Sequence, residues 1–152
     1  MYEQFEISLL RSSAFRYDGR VDSDEGADNV IKVFLIIGAI NAALAVGLGA
    51  FGAHGLEGRL SEKMLETFKT GVQYHMYHAI GLVGVAIAAD KLQSAGLMQW
   101  AGWLMFAGIV LFSGSLYVLS LSGIKILGAI TPLGGVAFIT AWILVVVAAF
   151  KA

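Results

Sequence analysis

The sequence predicts an all-α fold, a four-helix transmembrane bundle with a hydrophilic N-terminal extension and an amphipathic segment between helices 1 and 2. Three observations predict it. The 152 residues are 58% hydrophobic and only 14% charged, against about 25% charged in an ordinary soluble domain, and the mean hydropathy is +0.78. The charges are segregated: residues 1–31 hold seven acids and three arginines, whereas Lys32 onward holds four acids and seven bases. The oily remainder falls into four runs near the length of a bilayer crossing. A net charge of −1 gives no reason to expect nucleic acid as a partner. The absence of cysteine excludes disulfides and thiolate metal sites and leaves the compartment open.

Residues 1–31 form the extension and residues 32–152 the helical domain. "YEQFEISLL" (Tyr2–Leu10) mixes apolar and acidic residues, as a short helix or a docking segment would. "RYDGRVDSDEGADN" (Arg16–Asn29) is acidic and rich in turn formers, and is expected to be non-helical. A secretory signal starts basic and turns apolar within a few residues, and a transit peptide is poor in acids, so the tail is neither. An acidic tail on its own is ordinarily disordered, so an ordered role for residues 1–30 requires a surface to dock on.

The first span is 33–53, "VFLIIGAINAALAVGLGAFGA", with no charge. At about 1.5 Å per residue it covers roughly 30 Å, the thickness of the hydrocarbon layer. "HGLEGRLSEKMLETFKTG" (His54–Gly71) follows. Ser61 suits an N-cap, and Leu60, Met64, Leu65, Phe68 and Val72 recur at helical spacing opposite Glu62, Lys63, Glu66 and Lys69. This segment is either an amphipathic helix in the headgroup plane or an extension of the next span. The second span is 72–89, closed by Asp90 and Lys91. The third is 97–121, opening on Trp100 and Trp103 as an interfacial belt would. The fourth is 126–150, with Pro132 in its first turn or at a kink.

Four crossings put both termini on one side. That side carries Arg11, Arg16, Arg20, Lys32, Lys91 and Lys151, against Arg59, Lys63, Lys69 and Lys125 opposite. Six against four favours termini inside. Because apolar contact between helices gives no gain over contact with lipid, membrane helices associate through small residues and hydrogen bonds. The candidate packing positions are Ala45, Gly49 and Ala53; Gly81, Gly84 and Ala88; Gly108, Ser115 and Ser122; and Gly128, Gly134 and Gly135.

Chemistry-bearing residues are few. His75 and His78 share a helix face, and His54 ends span one, so three imidazoles are weak candidates for zinc or haem. No intramembrane carboxylate accompanies them as a base or orienting group, and their position near a span end favours a polar collar in which Tyr74, His75, Tyr77 and His78 bond headgroups, loop carbonyls or the His54 turn. Asn41 lies within span one and needs an interhelical partner, for which Thr131, Ser113 and Ser115 are candidates. "SGSLY" (Ser113–Tyr117) lacks the base and the strand of a serine nucleophile elbow, and "TPLGG" (Thr131–Gly135) lacks the lysine of a phosphate loop. No residue is assigned as catalytic, and no cofactor is expected.

Four stretches, "LGAFGAHGL" (Leu48–Leu56), "FKTGVQYHMYHAIGL" (Phe68–Leu82), "LFSGSLYVLSL" (Leu111–Leu121) and "TPLGGVAFITAW" (Thr131–Trp142), resemble in content and order the small YgdD-like inner-membrane proteins. That family is of unknown function and has eukaryotic transmembrane members. The likeness runs from about Ile31 to the C-terminus. It implies four transmembrane helices in a bacterial cytoplasmic or mitochondrial inner membrane and brings no catalytic residue with it. The tail before Val30 departs from the family pattern as a lineage-specific addition would. The expectation is therefore a non-enzymatic integral membrane protein, a structural or accessory subunit packed in lipid against other membrane subunits, with residues 1–30 as the docking segment. The alternatives are a small channel or carrier for a solute, and a histidine metal or haem site.

Overall fold

The computed structural model describes residues 21–92 and 94–152, with side chains from Asp28 onward. Among them every regular element is helical: α1 (Val21–Gly55), α2 (Glu62–Lys91), α3 (Ala95–Gly108), a π-helical turn (Ile109–Ser113), α4 (Gly114–Ser122), a 3-10 turn (Lys125–Ala129) and α5 (Thr131–Lys151). The segments α3, π-turn and α4 form one rod, so the described residues make four long helices. Three of them, Asp28–Gly55, Ala95–Ser122 and Lys125–Lys151, are long and apolar enough to cross a membrane. The exception is α2, which carries the charged turns of the amphipathic segment and the two histidines.

Local chemistry explains most of the boundaries. Ser61 caps α2, its hydroxyl accepting the Met64 N–H at 3.4 Å, and the helix runs unbroken from there to Lys91. The amphipathic segment is therefore an extension of the second helix. Gly123, at φ 73°, closes α4 by donating its N–H to Leu119 O at 2.9 Å; only glycine takes this left-handed conformation without cost. Pro132 lies in the first turn of α5, where its missing N–H breaks no helical bond. The fourth helix starts at Thr131, because the Lys125–Ala129 stretch winds as a 3-10 turn.

One boundary corrects the sequence reading. Val21–Asn29 is helical, although its turn-rich composition argued otherwise. Once the apolar part of α1 is nucleated, adding residues in front of it costs little, and an interior glycine such as Gly26 costs only about 1 kcal/mol. The Tyr2–Leu10 segment and the first residues of the acidic stretch lie outside the described residues.

All four rods contribute to one core. Phe34 from α1, Leu82 and Ala86 from α2, Met98 and Met105 from α3, and Phe138 and Ala141 from α5 are all 4% exposed or less. Rings sit in glycine slots: Phe34 against Gly102, Phe138 against Gly108. A side chain on Gly134 would collide with the backbone of Phe112 in the π-turn. The helices thus approach through small residues, as expected in lipid, although not every expected position takes part. Ala45, Gly81, Gly108, Ser115 and Gly134 are buried, whereas Ala53, Gly84 and Ser122 are exposed. Steps of four advance about 40° around a helix per step, so the Ala45–Gly49–Ala53 series rotates out. The face α1 turns inward alternates three and four instead, through Phe34, Gly38, Asn41, Ala45 and Gly52.

Candidate functional site

Polar side chains of the interior bond in three groups that together make a thread between the helices; two of the groups centre on α2 and the third joins α4 to α5. The collar expected for His75 and His78 is not found: they are 5% and 6% exposed, inside the packing. The sequence reading began the second span at Val72 and left open whether the segment before it extends the helix. The helix does extend, starting at Glu62, which puts His75 roughly 20 Å along its axis at about 1.5 Å per residue.

Asn41 on α1 donates from Nδ2 to its own Ile37 carbonyl at 2.8 Å. This turns its Oδ1 toward His75 Nε2, 3.0 Å away. His75 must therefore carry its proton on Nε2, so Nδ1 is the acceptor, and Tyr117 OH donates to it from 3.1 Å. The partner of Asn41 is thus His75, not Thr131, Ser113 or Ser115, because the inward face of α1 meets α2 there. His78 takes the opposite tautomer. Its Nδ1 lies 2.8 Å from the Tyr74 carbonyl and donates to it, which leaves Nε2 to accept the Trp142 indole N–H at 3.3 Å. Phe138 stacks on the His78 ring, with centroids 3.3 Å apart and planes 9° apart. Both imidazoles have both nitrogens engaged.

Ser115 and Thr131 form a second tie, 2.8 Å apart between α4 and the start of α5. Ser115 Oγ donates to Phe112 O at 2.9 Å, inside the π-turn where the regular helical ladder is broken, and so accepts from Thr131. Ser113, in the same turn, is fully buried, and its hydroxyl has no protein partner; it is the one such side-chain atom among the described residues. Tyr74 is 39% exposed and lies against Phe112, ring centroids 4.6 Å apart. Gly49 faces Val72. Pro132 borders the Ser115–Thr131 tie without entering it. His54 is exposed at the end of α1. Among the described residues no three histidine, aspartate or glutamate side chains converge as a metal site needs, and the three histidines do not meet.

The sequence reading missed Tyr117 and Trp142 as members of the thread, along with Phe138 beside them. The available signal was a hydroxyl or indole N–H in mid-span, which needs a protein partner in an apolar surround as Asn41 does.

A family model described as a protein of unknown function (DUF423) matches residues 48–135, a stretch that holds His75, His78, Tyr117 and Thr131 but neither Asn41 nor Trp142. Among curated proteins, the chain is similar to the UPF0382 membrane protein YwdK of Bacillus subtilis, with 71% identity over 121 residues, 80% of this chain and 98% of that one. The UPF0382 membrane protein SSP2132 of Staphylococcus saprophyticus is 52% identical over 121 residues, covering 80% of this chain and 99% of the relative. The relatives are covered almost end to end, while a fifth of this chain lies outside the match. No solved structure matches the chain.

Proposed function

The chain belongs to the DUF423 family, whose function is unknown, and from that premise we propose that it is a four-crossing membrane protein that acts without catalysis, as a structural or accessory subunit of a larger membrane assembly. The observation that carries this reading is the closure of the polar thread. Asn41, His75, Tyr117, His78, Trp142, Ser115 and Thr131 direct their polar groups at one another or at backbone carbonyls. Groups spent on joining helices are not free to act on a substrate, and buried hydrogen bonds of this kind fix how helices meet.

Membership of the bundle by α2 as a fourth crossing is part of the reading. Asn41 lies well inside the apolar run of α1, and His75 is bonded to it, so α2 reaches the same depth. This reading also keeps the resemblance to YgdD-like proteins, carried by the four stretches, and with it a bacterial cytoplasmic membrane with both termini inside. The acidic extension is the proposed docking segment, lying on a basic partner surface at about 1 kcal/mol or less per exposed ion pair. Blue-native electrophoresis of mild-detergent extracts, with and without residues 1–30, tests the assembly. A large complex that shrinks or vanishes on truncation is expected, and migration of the lone chain in both samples defeats the subunit reading.

One observation favours a second reading, a small channel or carrier. Ser113 leaves a hydroxyl unpaired in a break of regular helix, and such turns recur at functional positions. Solute flux into liposomes that contain only this protein decides it: flux no greater than in empty vesicles removes the carrier.

A further inference from the structure

The outward face of α2 departs from what lipid accepts. Gln73, Tyr77, Ile80, Gly84 and Ile87 are all exposed along it, at alternating steps of four and three. That spacing makes the seam of a left-handed helix pair crossing at about 20°. Among the described residues nothing packs on this seam. Tyr77, Ile80 and Ile87 are 54%, 59% and 62% exposed, and the space beyond Gly84 is empty to 4 Å.

Depth makes the seam informative. Gly38 lies against Ala79 and Val83, Asn41 bonds His75, Gly49 faces Val72, and Gly52 meets the Phe68 ring. This antiparallel register sets Tyr77 about level with Ala42 and Gln73 about level with Val46, roughly 10 Å or more inside the end of the apolar run at Ala53. Gln73 Nε2 donates to Tyr77 OH at 2.7 Å. The pair is left with two donors, the Tyr77 O–H and the second Nε2 N–H of Gln73, and with Gln73 Oε1 as an open acceptor. Thr140, also outward-facing, returns its hydroxyl to Val136 O of its own helix at 2.8 Å; the Gln73–Tyr77 pair has no such return. Polar groups at this depth are placed against protein, not against acyl chains.

We propose that this face of α2 is a homodimer interface, α2 packing on α2 of a second copy about a two-fold axis along the membrane normal. A surface that offers both unmet donors and an unmet acceptor is self-complementary under that symmetry. Each Tyr77 O–H donates to Gln73 Oε1 of the other copy, two equal bonds, and Gly84 lets the backbones close together. The proposal rests on α2 crossing the membrane.

The chain has no cysteine, so single-cysteine variants of the full-length protein report directly. Ile80→Cys, Gly84→Cys and Ile87→Cys probe the seam, and Leu44→Cys on α1 and Ile143→Cys on α5, of similar exposure, are controls. In native membranes and in liposomes of purified protein, mild oxidation is expected to link the seam variants at twice the chain mass and to leave the controls at background. Adding Gln73→Leu with Tyr77→Phe is expected to cut the yield roughly tenfold, the weight of two interhelical hydrogen bonds, with helical circular dichroism unchanged. Equal linking of seam and control positions, a yield indifferent to the double substitution, or linking in native membranes only to a chain of different mass each overturns the dimer. A membrane-impermeant maleimide separates the two ideas. If it labels Gly84→Cys from water, α2 does not cross and the four-crossing reading fails. If that cysteine is shielded yet never links, the dimer alone fails.

Discussion

His75 can satisfy both ring nitrogens only with its proton on Nε2, because the Asn41 amide nitrogen is committed to Ile37 O. The coupling is reciprocal: removing either side chain strands the other in the interior. A double-mutant cycle on Asn41→Leu and His75→Leu is expected to give a coupling of about 0.6–2 kcal/mol, read from reversible unfolding in a mixed-detergent titration; additive single effects would show that the bond contributes nothing. Glycine supplies a second residue-scale contrast. Gly134 has the Phe112 backbone where a side chain would stand, and Gly47 has nothing within 4 Å. Gly134→Ala is expected to cost about 1–3 kcal/mol in the same titration, and Gly47→Ala to be neutral or to stabilise by up to about 1 kcal/mol through helix propensity. That Asn41 needs a partner was legible in the sequence, since a lone amide in an apolar run must bond to protein. Which partner it takes was not, because that depends on where α2 begins, some distance along the chain. Tyr117 was hidden for the same reason: its role exists only once His75 is known to be buried opposite it.

At the scale of elements, apolar run length was a sufficient guide to α1, the α3–α4 rod and α5, because a span must be continuously oily when most of its circumference meets lipid. It was a poor guide to α2. This helix turns one face inward, so it can carry His75 and His78 there while its apolar part shortens, and its start is set by the Ser61 cap and not by hydropathy. Small-residue steps misplaced Ala53 and Ser122 because a fixed step of four or seven ignores the rotation of the packing stripe and the extra residue of the π-turn, whereas Gly84, three residues after the buried Gly81, simply turns onto the exposed face of α2. The start of α5 offers a clean test. Pro132 was compatible with a kink or a first turn, and the structure has the first turn. Pro132→Ala is accordingly expected to change stability by no more than about 0.5 kcal/mol; a loss of several times that would mean that the ring, not merely its position, holds the Thr131–Ser115 tie. Ser61→Ala removes the cap bond to Met64 N and is expected to cost about 1 kcal/mol, with increased amide hydrogen exchange confined to the first turn of α2.

At the scale of the whole molecule, the number of crossings has a parity that can be measured without resolving any helix. The three apolar helices alone, Asp28–Gly55, Ala95–Ser122 and Lys125–Lys151, would leave the termini on opposite faces. Adding α2 returns them to the same face. The contacts favour the even number, because Phe68 packs at Gly52 near one end of the apolar part of α1 and Val83 at Gly38 toward the other. An antiparallel partner matched over that length enters and leaves the same layer. The charges add a direction to the proposal: with four crossings, Arg11, Arg16, Arg20, Lys32, Lys91 and Lys151 fall on one side, against Arg59, Lys63, Lys69 and Lys125, and this bias is the ground for proposing that the termini face inward. Reporter fusions at each end, one fluorescent only in the cytoplasm and one enzymatically active only outside, are expected to place both termini in the cytoplasm. Reporters on opposite faces would mean an odd number of crossings. Because α1 would still cross with Asn41 in the middle of its apolar run, a helix α2 outside the layer could not reach it, and the Asn41–His75 bond on which the polar thread is built could not form in the membrane.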